Sequence, residues 1–163
     1  MSYQLTYRMP RGTDIAAFSR DWQLELVVQV TGGRDVTPTE AAQFRKDLLE
    51  NDLTPNTPFW LVVTERQLLL WRRETGWDGP PDFTASTQRL SQGRLADELA
   101  EWSGYIRRQV LGRAVWHWLQ ELADGIREAD PTSDADQILS GSGLLERIKR
   151  GGVDMEMPRD RHG

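Results

Sequence analysis

Cysteine is absent from the 163 residues, which excludes disulfides and thiolate metal sites. Histidine is scarce. His117 and His162 are the two present, and they cannot build a histidine-rich metal centre. No apolar run reaches about eighteen residues, so no membrane-spanning helix is expected. The opening Met1-Ser2-Tyr3 lacks a basic stretch followed by an apolar one, so no secretory leader is expected and the cytoplasm is the expected location. A basic excess is missing too. The net charge is −5 and the pI about 5.1, against the profile of a general nucleic-acid binder. Lys46 and Lys149 are the only lysines among 20 basic residues, an arginine bias that reads as genome composition. Gly32-Gly33 lacks the spacing of a phosphate-binding loop, and no Gly-x-Ser-x-Gly elbow occurs.

Tryptophan, by contrast, is plentiful. Seven of them cannot all be deeply buried without partners for their indole N–H groups, so some are expected at a half-wet surface or an interface. The tract 13–31, TDIAAFSRDWQLELVVQVT, reads as two strands joined by a turn at Arg20, Asp21 and Trp22. Asp14 opens the first strand; Gln29 and Thr31 close the second on one face. Pairing through the turn returns Asp14 beside Gln29.

Around this hairpin, residues 2–7 alternate as a first or edge strand. Thr37-Pro38-Thr39-Glu40 starts a helix that runs to about Asn51, with Thr37 as N-cap and Glu40 closing a capping box. Ala41, Phe44 and Leu48 form its expected apolar stripe. Residues 58–64 and 68–73 read as a second hairpin whose first strand is apolar on both faces and therefore central. Residues 74–92 read as a long loop. Helices follow at 95–102 and at about 105–128, the latter with Val115, Trp118, Leu119, Leu122 and Ile126 on its apolar face. Residues 130–136 read as an acidic linker, followed by two short helical pieces and a closing edge strand at Val153, Met155 and Met157. The expected fold class is α/β of mixed α+β character, a small mixed sheet with a crossover helix and a helical C-terminal half. One domain is expected over 1–158, with 1–75 as sheet and crossover helix, 90–150 as helices, and 159–163 as a frayed tail.

The acid-led hairpin resembles the metal-binding hairpin of the PD-(D/E)XK (restriction endonuclease-like) nuclease superfamily. Thr13-Asp14 stands where Pro-Asp would be, and Gln29-Val30-Thr31 where Glu-x-Lys would be. The likeness continues through TPTEAAQFRKDLLE, PFWLVVTERQLLLWRRE and SGLLERIKRGG, from about residue 12 to about 152. It implies a restriction-endonuclease-like core in a bacterial setting. In active members two carboxylates hold Mg²⁺ or Mn²⁺, and the lysine positions or activates the attacking water. Here Asp14 and Gln29 are the candidate metal ligands, Gln29 offering only a neutral oxygen. Thr31 has no cation.

Substitutes can be weighed by reach. Glu25 shares the strand face of Gln29 but lies about 13 Å away along the strand. Glu40 has a capping role. Lys46, on the crossover helix, is the replacement that the resemblance implies, since superfamily members with the lysine moved to this helix occur; Arg34 and Arg45 could touch phosphate but not act as bases. The plainer reading makes Gln29 and Thr31 ordinary strand-end polar residues and Arg45 and Lys46 a solvated helix face. The resemblance, with its altered site, therefore implies a catalytically degenerate nuclease-like domain, a pseudoenzyme acting as a binding or scaffolding module. It would have a protein partner or a second copy of itself, weak nucleic-acid contact, and no cofactor. Two alternatives stay open: an active Mg²⁺- or Mn²⁺-dependent DNA endonuclease in which Asp14, Gln29 and a backbone carbonyl near Val30 hold the ion and Lys46 or Arg34 replaces the missing lysine, or a structural subunit of a larger assembly.

Overall fold

The computed structural model describes residues 14–31, 37, 39–40, 42–43, 46, 57–76 and 79–155. Residues 14–31 fold as the sequence predicts. β1 (Ile15–Phe18) and β2 (Leu24–Val30) pair antiparallel with Ile15 opposite Val28. The turn closes through Ser19 and Gln23, and Trp22 takes a left-handed φ of 62° there. After β2, residues 39, 40, 42, 43 and 46 are helical. Thr37 N–H donates to Glu40 Oε1 at 3.3 Å, and Glu40 N–H donates to Thr37 Oγ1 at 3.1 Å, the reciprocal capping box. This crossover brings β3 (Phe59–Val63) parallel to β2, with Val30 opposite Val63. β4 (Gln67–Arg72) returns antiparallel. Every residue of β3 is buried, as its two-faced apolar pattern predicts.

The sheet has six strands in the order β5-β4-β3-β2-β1-β6. Residues 74–92, expected to be a loop, instead contain edge strand β5 (Phe83–Ser86), with short 3-10 turns on either side. Of β5 only Ala85 is buried; Phe83-Thr84-Ala85-Ser86 alternates apolar and polar, but over four residues inside a Gly- and Pro-rich tract that signal is too short to announce a strand. Polar side chains organise the approach. Asp82 Oδ2 accepts from Arg72 N–H at 2.7 Å, and Thr87 Oγ1 donates to the Glu65 carbonyl at 2.6 Å. β6 (Val153–Met155) closes the other edge against β1, as predicted. The proposed strand at 2–7, the stripe residues Ala41, Phe44 and Leu48, Met157 and the tail 159–163 lie outside the described residues.

Each face of the sheet carries its own core. Leu26, Val28, Val30, Leu61 and Leu70 face the helical layer. Val27, Trp60, Val62, Leu69 and Trp71 pack with Ala42 of the crossover on the opposite face. The helical layer comprises α1 (Leu95–Ala100), α2 (Gly104–Ala123), α3 (Asp134–Gly141) and α4 (Leu144–Ile148). α2 ends earlier than its periodicity predicts. Gly125, at φ 72°, donates to the Leu122 carbonyl, and Ile126 N–H donates to that of Glu121, a Schellman stop. Ile126 is consequently 71% exposed rather than part of the apolar face. The last three residues of the expected acidic linker, 134–136, instead open α3. Ser133 caps it by accepting from Asp136 N–H, and Asp136 is buried in an ion pair with Arg127. Among the described residues no helix is long and apolar enough to cross a membrane.

Candidate functional site

Asp14 sits immediately before β1, where its N–H donates to the Val28 carbonyl at 2.9 Å and extends the hairpin ladder. Its carboxylate turns over the end of β2. Oδ2 accepts from Val30 N–H at 2.7 Å, and Oδ1 accepts from Arg108 Nη2 at 2.6 Å. Arg108 comes from the second turn of α2 and also donates from Nε to the Val30 carbonyl at 3.0 Å. One guanidinium therefore spans the carboxylate and the carbonyl. The Asp14 side chain is 3% exposed and that of Arg108 is 23% exposed. Burial raises the Asp14 carboxyl above its ordinary range, and the Val30 N–H and the Arg108 charge pull it down without cancelling that effect.

The other candidates fall elsewhere. Strand alternation sends Gln29 to the Val27 face, away from α2, and its Oε1 is buried without a hydrogen-bond partner. Thr31 continues the sheet: its N–H and its hydroxyl both donate to the Val63 carbonyl, at 2.9 and 3.0 Å. Lys46 is exposed on the crossover helix, and Glu40 is held in the capping box. Glu25 is buried at the far end of β2, bound to Arg147 at 3.0 Å. Arg34 and Arg45 lie outside the described residues.

Arg108 is the functional residue that the sequence reading missed, although a signal existed. It precedes Leu111 by three positions and Val115 by seven, and so lies on the buried stripe of α2. A charge on such a stripe needs a buried partner. Its neighbour Arg107 makes a second tie, gripping both oxygens of Glu65 at 2.7 and 2.8 Å in the β3–β4 turn. The hydrogen bond from Arg107 holds the Glu65 carboxyl below its ordinary range. Two consecutive arginines thus moor α2 to both hairpins at the end where the parallel strands β2 and β3 terminate.

The donor set decides whether a divalent cation fits. Mg²⁺ and Mn²⁺ require anionic and carbonyl oxygens with free lone pairs directed at one point. Asp14 Oδ1 and the Val30 carbonyl are oxygens of the right type, but each already accepts from Arg108, Oδ1 from Nη2 and the carbonyl from Nε, two separate nitrogens. Asp14 Oδ2 is turned to the backbone, and Gln29 faces the other way. With Arg108 in place a divalent cation does not fit there. Among the described residues no group of three histidine, cysteine or carboxylate side chains is gathered for a metal.

A separate cavity of about 590 Å³ opens between the 87–93 turn, α2 and the start of α3. Its floor is Asp136, which accepts from Trp118 Nε1 at 2.8 Å, from Asp130 N–H at 2.9 Å and from Arg127. Burial pushes the Asp136 carboxyl up, but the Arg127, Asp130 and Trp118 hydrogen bonds outweigh it and leave the group below its ordinary range. Arginine and carboxylate side chains mix along the walls, so the cavity has no dominant charge. No family model matches the chain, and neither a curated protein nor a solved structure matches it significantly.

Proposed function

We propose that this chain is a degenerate PD-(D/E)XK-type domain, restriction-endonuclease-like in its core, that acts as a binding or scaffolding module rather than as a nuclease. The observation that carries this reading is Thr31. At the position where the resemblance implies a lysine stands a neutral hydroxyl, committed to the Val63 carbonyl as part of the sheet. That hydroxyl carries no charge with which to offset a phosphate, and it cannot act as the lysine would on the attacking water. The order of elements agrees with the reading: an acid-led antiparallel hairpin, a crossover helix, then a parallel strand. Its partner is another protein, because a chain of net charge −5 gains little from a polyanion. Trp102, 46% exposed, and Ile106, 39% exposed, offer apolar contact area at the entrance to α2.

The test is incubation of the purified protein with supercoiled plasmid in Mg²⁺ or Mn²⁺, with Asp14→Asn alongside. No nicking above the variant is the expected result. Nicking by the wild type that Asp14→Asn abolishes would replace this reading with that of an active endonuclease.

A further inference from the structure

We infer that the outward ridge of α2 is the docking surface for an acidic amphipathic helix of another protein. The inference deepens the scaffolding reading and rests on it only for the partner being a protein. The ridge itself comes from spacing, exposure and charge.

Trp102, Ile106 and Val110 follow one another at intervals of four residues, from the α1–α2 turn into α2. Trp102 and Ile106 are exposed, and Val110 is half-buried beside them. α2 turns Leu111, Val115 and Leu119 to the core, so this row stands on the opposite side. Rows of residues four apart are the ridges that pack into the grooves of a second helix, in the commonest geometry of helix pairs. That spacing selects a helix rather than an extended strand as the occupant. Its placement is fixed as well. Arg107 Nη1 donates to the Leu99 carbonyl at 2.9 Å and to that of Trp102 at 3.4 Å, while Nε and Nη2 hold Glu65. The turn that presents Trp102 is therefore pinned before a partner arrives, and little ordering is left to oppose binding.

Charge sets the sign of the partner. From Gly104 to Gln120, α2 carries Arg107, Arg108 and Arg113 and no carboxylate, in a chain of net charge −5. Arg107 and Arg108 are turned inward to Glu65 and Asp14. Arg113 is exposed, two turns past Ile106 on the same ridge. Glu98 and Glu101 lie before Trp102, on α1 and at its C-cap. A partner helix therefore lays its apolar side chains over Trp102 and Ile106 and sets its carboxylates toward Arg113.

The probe is a fluorescein-labelled synthetic helix of about eighteen residues, with leucine along one face and glutamate on the rest. A version with lysine in place of glutamate and a single-stranded oligonucleotide of equal negative charge serve as controls. Fluorescence anisotropy reads affinity for wild type, Ile106→Asp, Arg113→Glu and Trp22→Ala, and circular dichroism checks that each variant is folded. Trp22 is exposed in the β1–β2 turn, off the ridge. The glutamate peptide should bind wild type with a Kd on the order of 10 μM, as suits a small transient interface. Ile106→Asp and Arg113→Glu should each weaken it by at least about tenfold, and Trp22→Ala by less than about twofold. The lysine peptide should not bind. No binding of the glutamate peptide, equal binding of the lysine peptide, or affinity untouched by both ridge variants overturns the inference. So does equal binding of the oligonucleotide, which would make the ridge a polyanion surface. A wild-type dimer in light scattering that Ile106→Asp dissociates would assign the ridge to a second copy and overturn it too. The degenerate-nuclease reading fails on a different readout, plasmid nicking by the wild type, so the two are separable.

Discussion

Removing Arg108 should destabilise the fold in a manner that depends on pH. In Arg108→Ala the Asp14 carboxylate, 3% exposed, loses its counter-charge and keeps only the Val30 N–H. Breaking a buried pair from one side costs about 3–5 kcal/mol. The low end applies here, because the carboxylate escapes part of the penalty by taking up a proton. About 3 kcal/mol at pH 7 corresponds to a Tm lower by about 6–12 °C for a chain of this length. Burial already raises the Asp14 carboxyl in the native protein, and without Arg108 it rises further. The folded state then holds a proton that the unfolded chain, titrating at about 4, has released. Stability of the variant therefore falls as pH rises from about 4 through the raised folded value, so the gap to wild type widens with pH. At pH 4 the loss should shrink to about 1 kcal/mol, the share of the Val30 hydrogen bond and the side-chain stem. Urea melts followed by tryptophan fluorescence, in chelator, read the gap at each pH. A gap that is flat, that narrows as pH rises, or that stays under about 1 kcal/mol at pH 7 would refute the reasoning. Asp14→Asn should cost less than Arg108→Ala, because its amide oxygen still accepts from Val30 N–H.

Three further outcomes follow from packing and capping. Asp136→Ala strands the buried Trp118 N–H and the Asp130 N–H, and should cost about 3 kcal/mol by urea denaturation. Because the Asp136 carboxyl is depressed, its contribution is present above the unfolded value of about 4 and is lost as pH falls through the folded one. The variant's acid-unfolding curve should accordingly lack that step. Gly151→Ala places a Cβ 1.7 Å from the Phe18 carbonyl oxygen, so backbone must move; a loss above about 2 kcal/mol is expected in the same assay. Thr37→Ala opens the capping box and should cost about 1 kcal/mol in a thermal melt, without altering the sheet signal in circular dichroism.

What the sequence disclosed is what short-range chemistry governs. Ile15–Phe18 and Leu24–Val30 announce themselves by β-branched and apolar runs around a polar turn. Thr37 and Glu40 announce a helix start, and β3 announces its central place by having two apolar faces. The end of α2 was local information too, but Gly125 outweighed a periodicity that continued to Ile126. The misses depend on partners that no local pattern names. β5 is an edge strand whose apolar alternation spans four residues only, with Asp82 and Thr87 organising its approach. Asp136 looks like part of a solvated acidic run until Arg127 and Trp118 close on it. Arg108 meets Asp14 across 94 residues, and no local pattern encodes such a meeting beyond its place on a buried stripe. The candidate site was thus legible in its strand positions, but not in the cation that occupies it.

The central claim is that Asp14 already has its cation and that the domain works without a metal. Titration of the wild-type protein with Mn²⁺ by isothermal calorimetry, with Asp14→Asn as control, tests it most directly. The account predicts no saturable heat in either protein. Saturable binding by the wild type that disappears in Asp14→Asn would contradict it, because Arg108 would then have given way to the metal.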